Sequence, residues 1–310
     1  MEDDRQTRRF VIIPKVGHPW FEEVRRGALA QAQLLQEKTG VEISVEYVPP
    51  AEADATLQDS LLAEVAATSP AGILIDPVDD IAKMPAMAAA RESGVPVVVI
   101  DSPSPDPAYT SVGNDFSEQG RLAAHRLVEL IGASGEVAIM QGVPTAPNHR
   151  QRYEAQLAVL REHPGVSVVE GGVDNDSIEQ AKAEAAVVLA ARPDLRGYLC
   201  CDASGPIGIA DAIREAGRVG QVTAVGMDGI EPILEAIKDG VLESSAATIP
   251  DMQGSMALLM AWQAAEGMRT PRKVDTGIDL ITAANVDDFL AASRRRDGSD
   301  HQAGQQLADD

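Results

Sequence analysis

Four apolar runs in this chain end on an aspartate: GILID at Asp76, VPVVVID at Asp101, GYLCCD at Asp202 and VTAVGMD at Asp228. Asp76 and Asp202 lie 126 residues apart, and Asp101 and Asp228 lie 127 apart. An ionised carboxylate only accepts, and its bonds from hydroxyl or N–H donors are charge-assisted. Four acceptors in two matched pairs point to a small ligand rich in donors, such as a polyol. A strand-end Asp also often caps the helix that follows, but four in register are harder to explain that way. The sequence contains no P-loop, no GxGxxG after a strand, no GxSxG elbow and no HExxH. The histidines at 18, 125, 149, 163 and 301 do not pair at metal-ligand spacing. The expected chemistry is therefore binding, with no catalytic residue, metal or cofactor.

These aspartates need a scaffold that aims them. Short Val/Ile/Leu-rich runs read as buried parallel strands, and open α/β sheets bind ligands outside the carboxyl ends of their strands. The first strand is FVII (10–13). A helix follows, with Pro19 in its first turn, Glu22 and Glu23 at its positive end, and a stripe of Phe21, Val24, Ala28, Ala32 and Leu35. Val41, Ile43, Val45 and Tyr47 then alternate with Glu42, Ser44 and Glu46, the pattern of a half-exposed edge strand. The second half repeats the order, with strands starting at Glu136, Val166, Gly197 and Val222. The expected fold is α/β, with two similar doubly wound parallel-sheet (Rossmann-like) lobes. YTSVGND (109–115), ESSAATIPD (243–251) and TGIDLIT (276–282) read as a three-segment hinge, with a ligand cleft between the lobes. The lobes are expected at 1–113 plus 252–278 and at 114–251 plus 279–292. The polar tail 293–310 has no apolar period and is expected to be disordered.

Bulk composition narrows the partners. The chain has 310 residues, two-domain length, and is 45% hydrophobic but only 3% aromatic. Its net charge of −22 argues against nucleic acid and anionic membranes, which require Lys and Arg. Cys200 and Cys201 are neighbours on a strand and point to opposite faces, so two free buried thiols are expected. No apolar stretch reaches the ~18 residues of a membrane span. The opening MEDDRQTRRF lacks the apolar segment of a signal peptide. A periplasmic or extracellular protein would then be represented here without its leader.

The residues also resemble a known family. VIIPKVGHPWFEEVRRGA, GILIDPVDD, VPVVVIDS, SVGNDFSEQGRLAA, MQGVPTAPNHRQRYEA, VTAVGMDGIEPILEAIKDG and AATIPDMQGSMA are similar, in order and spacing, to type 1 periplasmic binding proteins. The likeness is to the sugar-binding branch typified by ribose- and galactose-binding proteins, over about 10–290. It implies the substrate-binding component of an ABC importer, a monomer that closes on a small sugar or polyol and delivers it to a membrane permease. Lac-repressor-type regulators share the core but carry a DNA-binding module, and only nine residues precede strand one here. An effector or sensing core is the alternative function.

Residue by residue, the resemblance implies a site. His18, Trp20 and Phe21 would face the sugar's apolar surfaces. Asp101 would accept from hydroxyls, with Asp76 near it. Ser102 falls where the ribose branch has arginine. Arg150 matches the binding arginine, with His149 beside it. Asn175 replaces an aromatic residue, Asp202 an asparagine and Asp251 a glutamine, while Asp228 matches the recurrent second-lobe aspartate. Lys15, in IPK, resembles the lysine of relatives that bind furanosyl autoinducers. The surplus of acids could also suit an amino sugar or a metal ion, which would relieve their repulsion, but a neutral polyol is favoured because each Asp can accept from several hydroxyls.

Overall fold

The computed structural model describes residues 7–80, 83–104, 106 and 108–294. Strands and helices alternate in the order β1 (Arg8–Ile13), α1 (Pro19–Thr39), β2 (Ile43–Tyr47), α2 (Ala55–Ala67), β3 (Gly72–Ile75), α3 (Pro85–Glu92), β4 (Val97–Ile100) and β5 (Thr110–Gly113). Then come α4 (Phe116–Ile131), β6 (Gly135–Gln141), α5 (Pro147–Arg161), β7 (Val166–Val173), α6 (Ile178–Ala191), β8 (Leu195–Leu199) and α7 (Ser204–Glu215). The chain continues with β9 (Thr223–Met227), α8 (Glu231–Lys238), β10 (Ser244–Ala247), α9 (Pro250–Ala265), β11 (Lys273–Asp275) and β12 (Asp279–Thr282). A further helix, α10, covers 286–294.

Two six-stranded sheets result, ordered β11-β5-β4-β3-β1-β2 and β12-β10-β9-β8-β6-β7. All strands of the first are parallel, whereas the second has one antiparallel edge, β12 on β10. In each, the chain starts inside the sheet and winds outward in both directions. That leaves a switch point between β1 and β3 in one sheet and between β6 and β8 in the other, where such sheets bind ligands. β3, β4, β5 and β10 are buried along their length, as parallel strands covered on both faces must be, and β1, β6 and β8 are buried at their carboxyl halves. β2 lies at an edge, as its alternation predicts.

The chain divides into two compact units, 1–117 with 143–152 and 248–278, and 118–142 with 153–247 and 279–310. The segment 143–152 therefore groups with the first unit, against the sequence-based placement of all of 114–251 in the second. The three segments read as hinge each carry a strand (β5, β10 and β12). In the first unit α1 and α9 pack so closely that a Cβ on Gly27 would lie 1.8 Å from the Asp251 carbonyl oxygen, and one on Gly254 1.8 Å from that of Val24. Only glycine permits that approach.

The expected tail begins too early. Ser293 and Arg294 continue α10, with Ser293 buried and Arg294 ion-paired to Glu231 and Glu235. Leu290 and Ser293 pack one face of that turn, so the polar composition hides an amphipathic end. The remainder, 295–310, lies outside the described residues.

Candidate functional site

In the first unit, Lys15 follows β1 and Asp76 follows β3, so the switch point brings them together as a buried ion pair. Asp76 also accepts from the Ser102 hydroxyl at 2.7 Å. Burial pushes the Asp76 carboxyl up to about 7; the Lys15 ammonium opposes that rise and neighbouring Asp101 adds to it. The Lys15 ammonium also lies 5.7 Å from the Phe21 ring centroid, a cation–π contact. Phe21 and Trp20 meet edge to face at 5.0 Å, and the Trp20 indole N–H donates to Thr248 Oγ1 at 3.0 Å. His18 is the N-cap of α1, its Nδ1 accepting the Trp20 N–H. Lys15, His18 and the first-turn residues Trp20 and Phe21 are thus held in place by a buried charge, capping and ring packing.

Asp101 follows β4 with φ of 42°, and its N–H donates to Val112 of β5 at 2.9 Å. A left-handed non-glycine residue costs of order 1–3 kcal/mol and is kept only where its surroundings enforce it. Here they do. Oδ2 accepts from Asn148 at 2.8 Å, Oδ1 accepts from Gln253 at 3.2 Å, and the buried guanidinium of Arg152 lies 3.4 Å from Oδ2. Arg152 also stands over the Phe116 ring at 5.1 Å. Gln253 is fully buried, and its Oε1 has no hydrogen-bond partner among the described residues.

The second unit places Asp202 past the end of β8 and Asp228 directly after β9. Asp228 repeats the geometry of Asp101: its φ is 66°, and its N–H donates to Ala246 of β10 at 3.0 Å. Asp202 Oδ1 accepts the Gly205 N–H at 2.9 Å, so the strand-end Asp does cap the next helix. Its Oδ2 and that of Asp174 have no donor among the described residues. One oxygen of Asp202 and one of Asp176 lie within 4.8 Å. Burial, then the charges of Asp174 and Asp176, push the Asp202 carboxyl well above the usual carboxylate range. Burial likewise raises Asp174, to about 7. Two carboxylates only accept, so they can bond each other once one is protonated, and the raised titration supplies that proton.

Two residues read from the resemblance stand elsewhere. The Arg150 side chain is 38% exposed and pairs with Asp80 at 2.8 Å; Arg152 is the arginine on Asp101. Asp251 is half-buried in the first turn of α9, and Gln253, two residues on, is the side chain that reaches Asp101. Both displacements are two residues along a helix, which turns the side chain by about 200°. Asn175 is exposed and bonds Gln180, while its neighbours Asp174 and Asp176 are buried. His149 is buried, its Nδ1 accepting the Val143 N–H. Asn148, Arg152, Asp174, Asp176 and Gln253 are the additions. For Arg152 and Asn148 the signal was the polar run NHRQR itself, read in the wrong register. For Gln253 it was a glutamine on the buried face of a mostly apolar helix.

This arrangement of twin switch-point sheets with acceptors past the strand ends is that of a bilobal solute-binding protein, and the chain belongs to the periplasmic binding protein family. The model of the periplasmic binding protein domain matches residues 10–269. The D-ribose/D-allose-binding protein of Pseudomonas aeruginosa is 30% identical over 245 residues, 75% of this chain and 76% of that protein. Among solved structures, an ABC transporter solute-binding protein of Agrobacterium vitis with bound D-fucose is 25% identical, with a TM-score of 0.85 over 92% of this chain and 99% of that one. A carbohydrate transporter solute-binding protein of Agrobacterium radiobacter, in complex with D-arabinose, is 26% identical, with a TM-score of 0.82 over 91% and 97%.

Proposed function

We propose that this protein is the substrate-binding component of an ABC importer and that its ligand is a small neutral sugar or polyol. The observation that carries the reading is Asp101, a buried carboxylate held by Asn148, Arg152 and Gln253 in a unit that also buries the Trp20–Phe21 pair. A sugar offers hydroxyl donors to carboxylates and C–H faces to rings. The half-site around Asp101 favours a neutral ligand, because Lys15 and Arg152 already balance Asp76 and Asp101. The names of the relatives and structural neighbours support the same ligand class.

In this reading the protein works as a monomer outside the cytoplasm, hands its ligand to a membrane permease, and performs no catalysis. Its charge of −22 fits that role and disfavours nucleic acid. The test is a thermal-shift screen with D-ribose, D-allose, D-arabinose, D-fucose, inositols and amino sugars. A ligand at about 1,000 times its Kd adds roughly 4 kcal/mol, a rise of several degrees. The rise should appear with a neutral sugar and vanish in Asp101→Ala. A shift from amino sugars alone, or from none of the panel, would overturn the reading.

A further inference from the structure

We infer that Gln58, on α2, is a positioning residue of the ligand site: it fixes the ends of β1 and β3 so that Lys15 and Asp76 present one defined pair to the ligand. This rests on the proposed function above and names a residue outside the ligand-facing set.

Gln58 is fully buried, and both ends of its amide are in use. Its Nε2 donates to the Pro14 carbonyl at 2.9 Å and to the Asp76 carbonyl at 2.8 Å, while Oε1 accepts the Val78 N–H at 3.0 Å. These groups lie just where the β1–β3 ladder stops; its last bond is Asp76 N–H to Ile13 at 3.1 Å. Past that point the two chains have no partner strand, and their polar groups need another one. Gln58 supplies it from the helix, tying the residue before Lys15 to Asp76 itself. No other residue type of this size carries two donors and an acceptor on one planar group. A buried apolar side chain would have packed equally well, so the amide is there for these three groups.

The effect on binding follows from geometry. Charge-assisted bonds weaken steeply with misalignment, and a site left free to move meets its ligand at an entropic cost. The experiment compares Gln58→Met with Leu62→Ala, a core change one turn further along α2 that removes packing in the same core cluster but no hydrogen bond to these groups. Affinity is read by calorimetry with whichever of D-ribose, D-allose, D-arabinose or D-fucose gives the largest thermal shift. At matched loss of Tm, Gln58→Met should weaken binding at least tenfold and Leu62→Ala less than twofold. In a Lys15→Met background, Gln58→Met should add little further loss, because two residues acting through one pair are not additive. Should Gln58→Met not fold, Gln58→Glu takes its place, keeping shape and acceptor but losing both donors.

Equal affinities for Gln58→Met and Leu62→Ala, or full additivity with Lys15→Met, would overturn the inference. Asp101→Ala separates the two levels. If it removes binding while Gln58 behaves like Leu62, only the positioning role falls. If none of the four sugars binds, the functional reading falls and this inference falls with it.

Discussion

The two units carry the same strand-end carboxylates and surround them with different partners. In the first, Asp76 meets Lys15 and Asp101 meets Arg152, two buried acids with two buried cations. In the second, Asp202 meets Asp174 and Asp176, with no Lys or Arg on Asp174 or Asp202 among the described residues. The first half-site sets a buried cation beside each acid, although burial still lifts Asp76 to about 7, whereas the second packs acid against acid. The backbone frames nevertheless match, since Asp101 and Asp228 share positive φ and the same bond to the neighbouring strand. The scaffold therefore sets where an acceptor stands, while its surroundings set whether that acceptor is charged.

The sharpest way to break this comparison is to remove the cation from the first unit. Arg152→Met leaves Asp101 buried beside polar groups but without its counter-charge, and should cost about 3–5 kcal/mol in chemical denaturation. A cost under about 1 kcal/mol would mean that Asn148 and Gln253 alone suffice. The matching change in the second unit should go the other way. Asp202→Asn keeps an acceptor for Gly205 and removes an acid that burial and the neighbouring Asp174 and Asp176 push well above the usual carboxylate range. Above pH 7 it should stabilise the protein by on the order of 1–3 kcal/mol.

The pH dependence follows with its sign. Asp174, raised to about 7 when folded, binds a proton that the unfolded chain gives up near 3.9. Its contribution is complete below that value and is lost as pH climbs toward 7. Thermal melts of the parent should therefore fall over this window, with Asp76, also raised to about 7, contributing alongside Asp174, and those of Asp202→Asn should fall less because Asp202 packs against Asp174. Identical slopes would show that the cluster is not the source.

Smaller effects sharpen the ligand assignment. Asp228→Ala should weaken sugar binding at least tenfold while the fold is kept, measured by calorimetry. Arg150→Ala should change affinity less than about threefold, as expected for a half-exposed pair with Asp80. A large loss from Arg150 and none from Arg152 would restore the assignment drawn from resemblance.

Much of the architecture was written in the sequence. Short continuous apolar runs separated by helical stripes determine two doubly wound units, because a strand buried on both faces and an amphipathic helix each admit few alternatives. The acidic strand ends follow directly, since a residue placed after the last ladder bond of a parallel strand must face the sheet's carboxyl edge. Helical side chains are another matter. Arg150 and Arg152 are equally plausible in NHRQR, as are Asp251 and Gln253 in PDMQG, and a two-residue slip turns a side chain to the far side of its helix. Packing of α5 and α9 decided that Arg152 and Gln253 reach Asp101. Tertiary structure likewise decided the state of the acids, because charge compensation depends on which elements meet, and Lys15 meets Asp76 across 61 residues of chain. The sequence by itself determined the acceptors and the sheets that carry them; only the folded chain decided their partners, because contacts across the switch point are set by strand order and helix rotation.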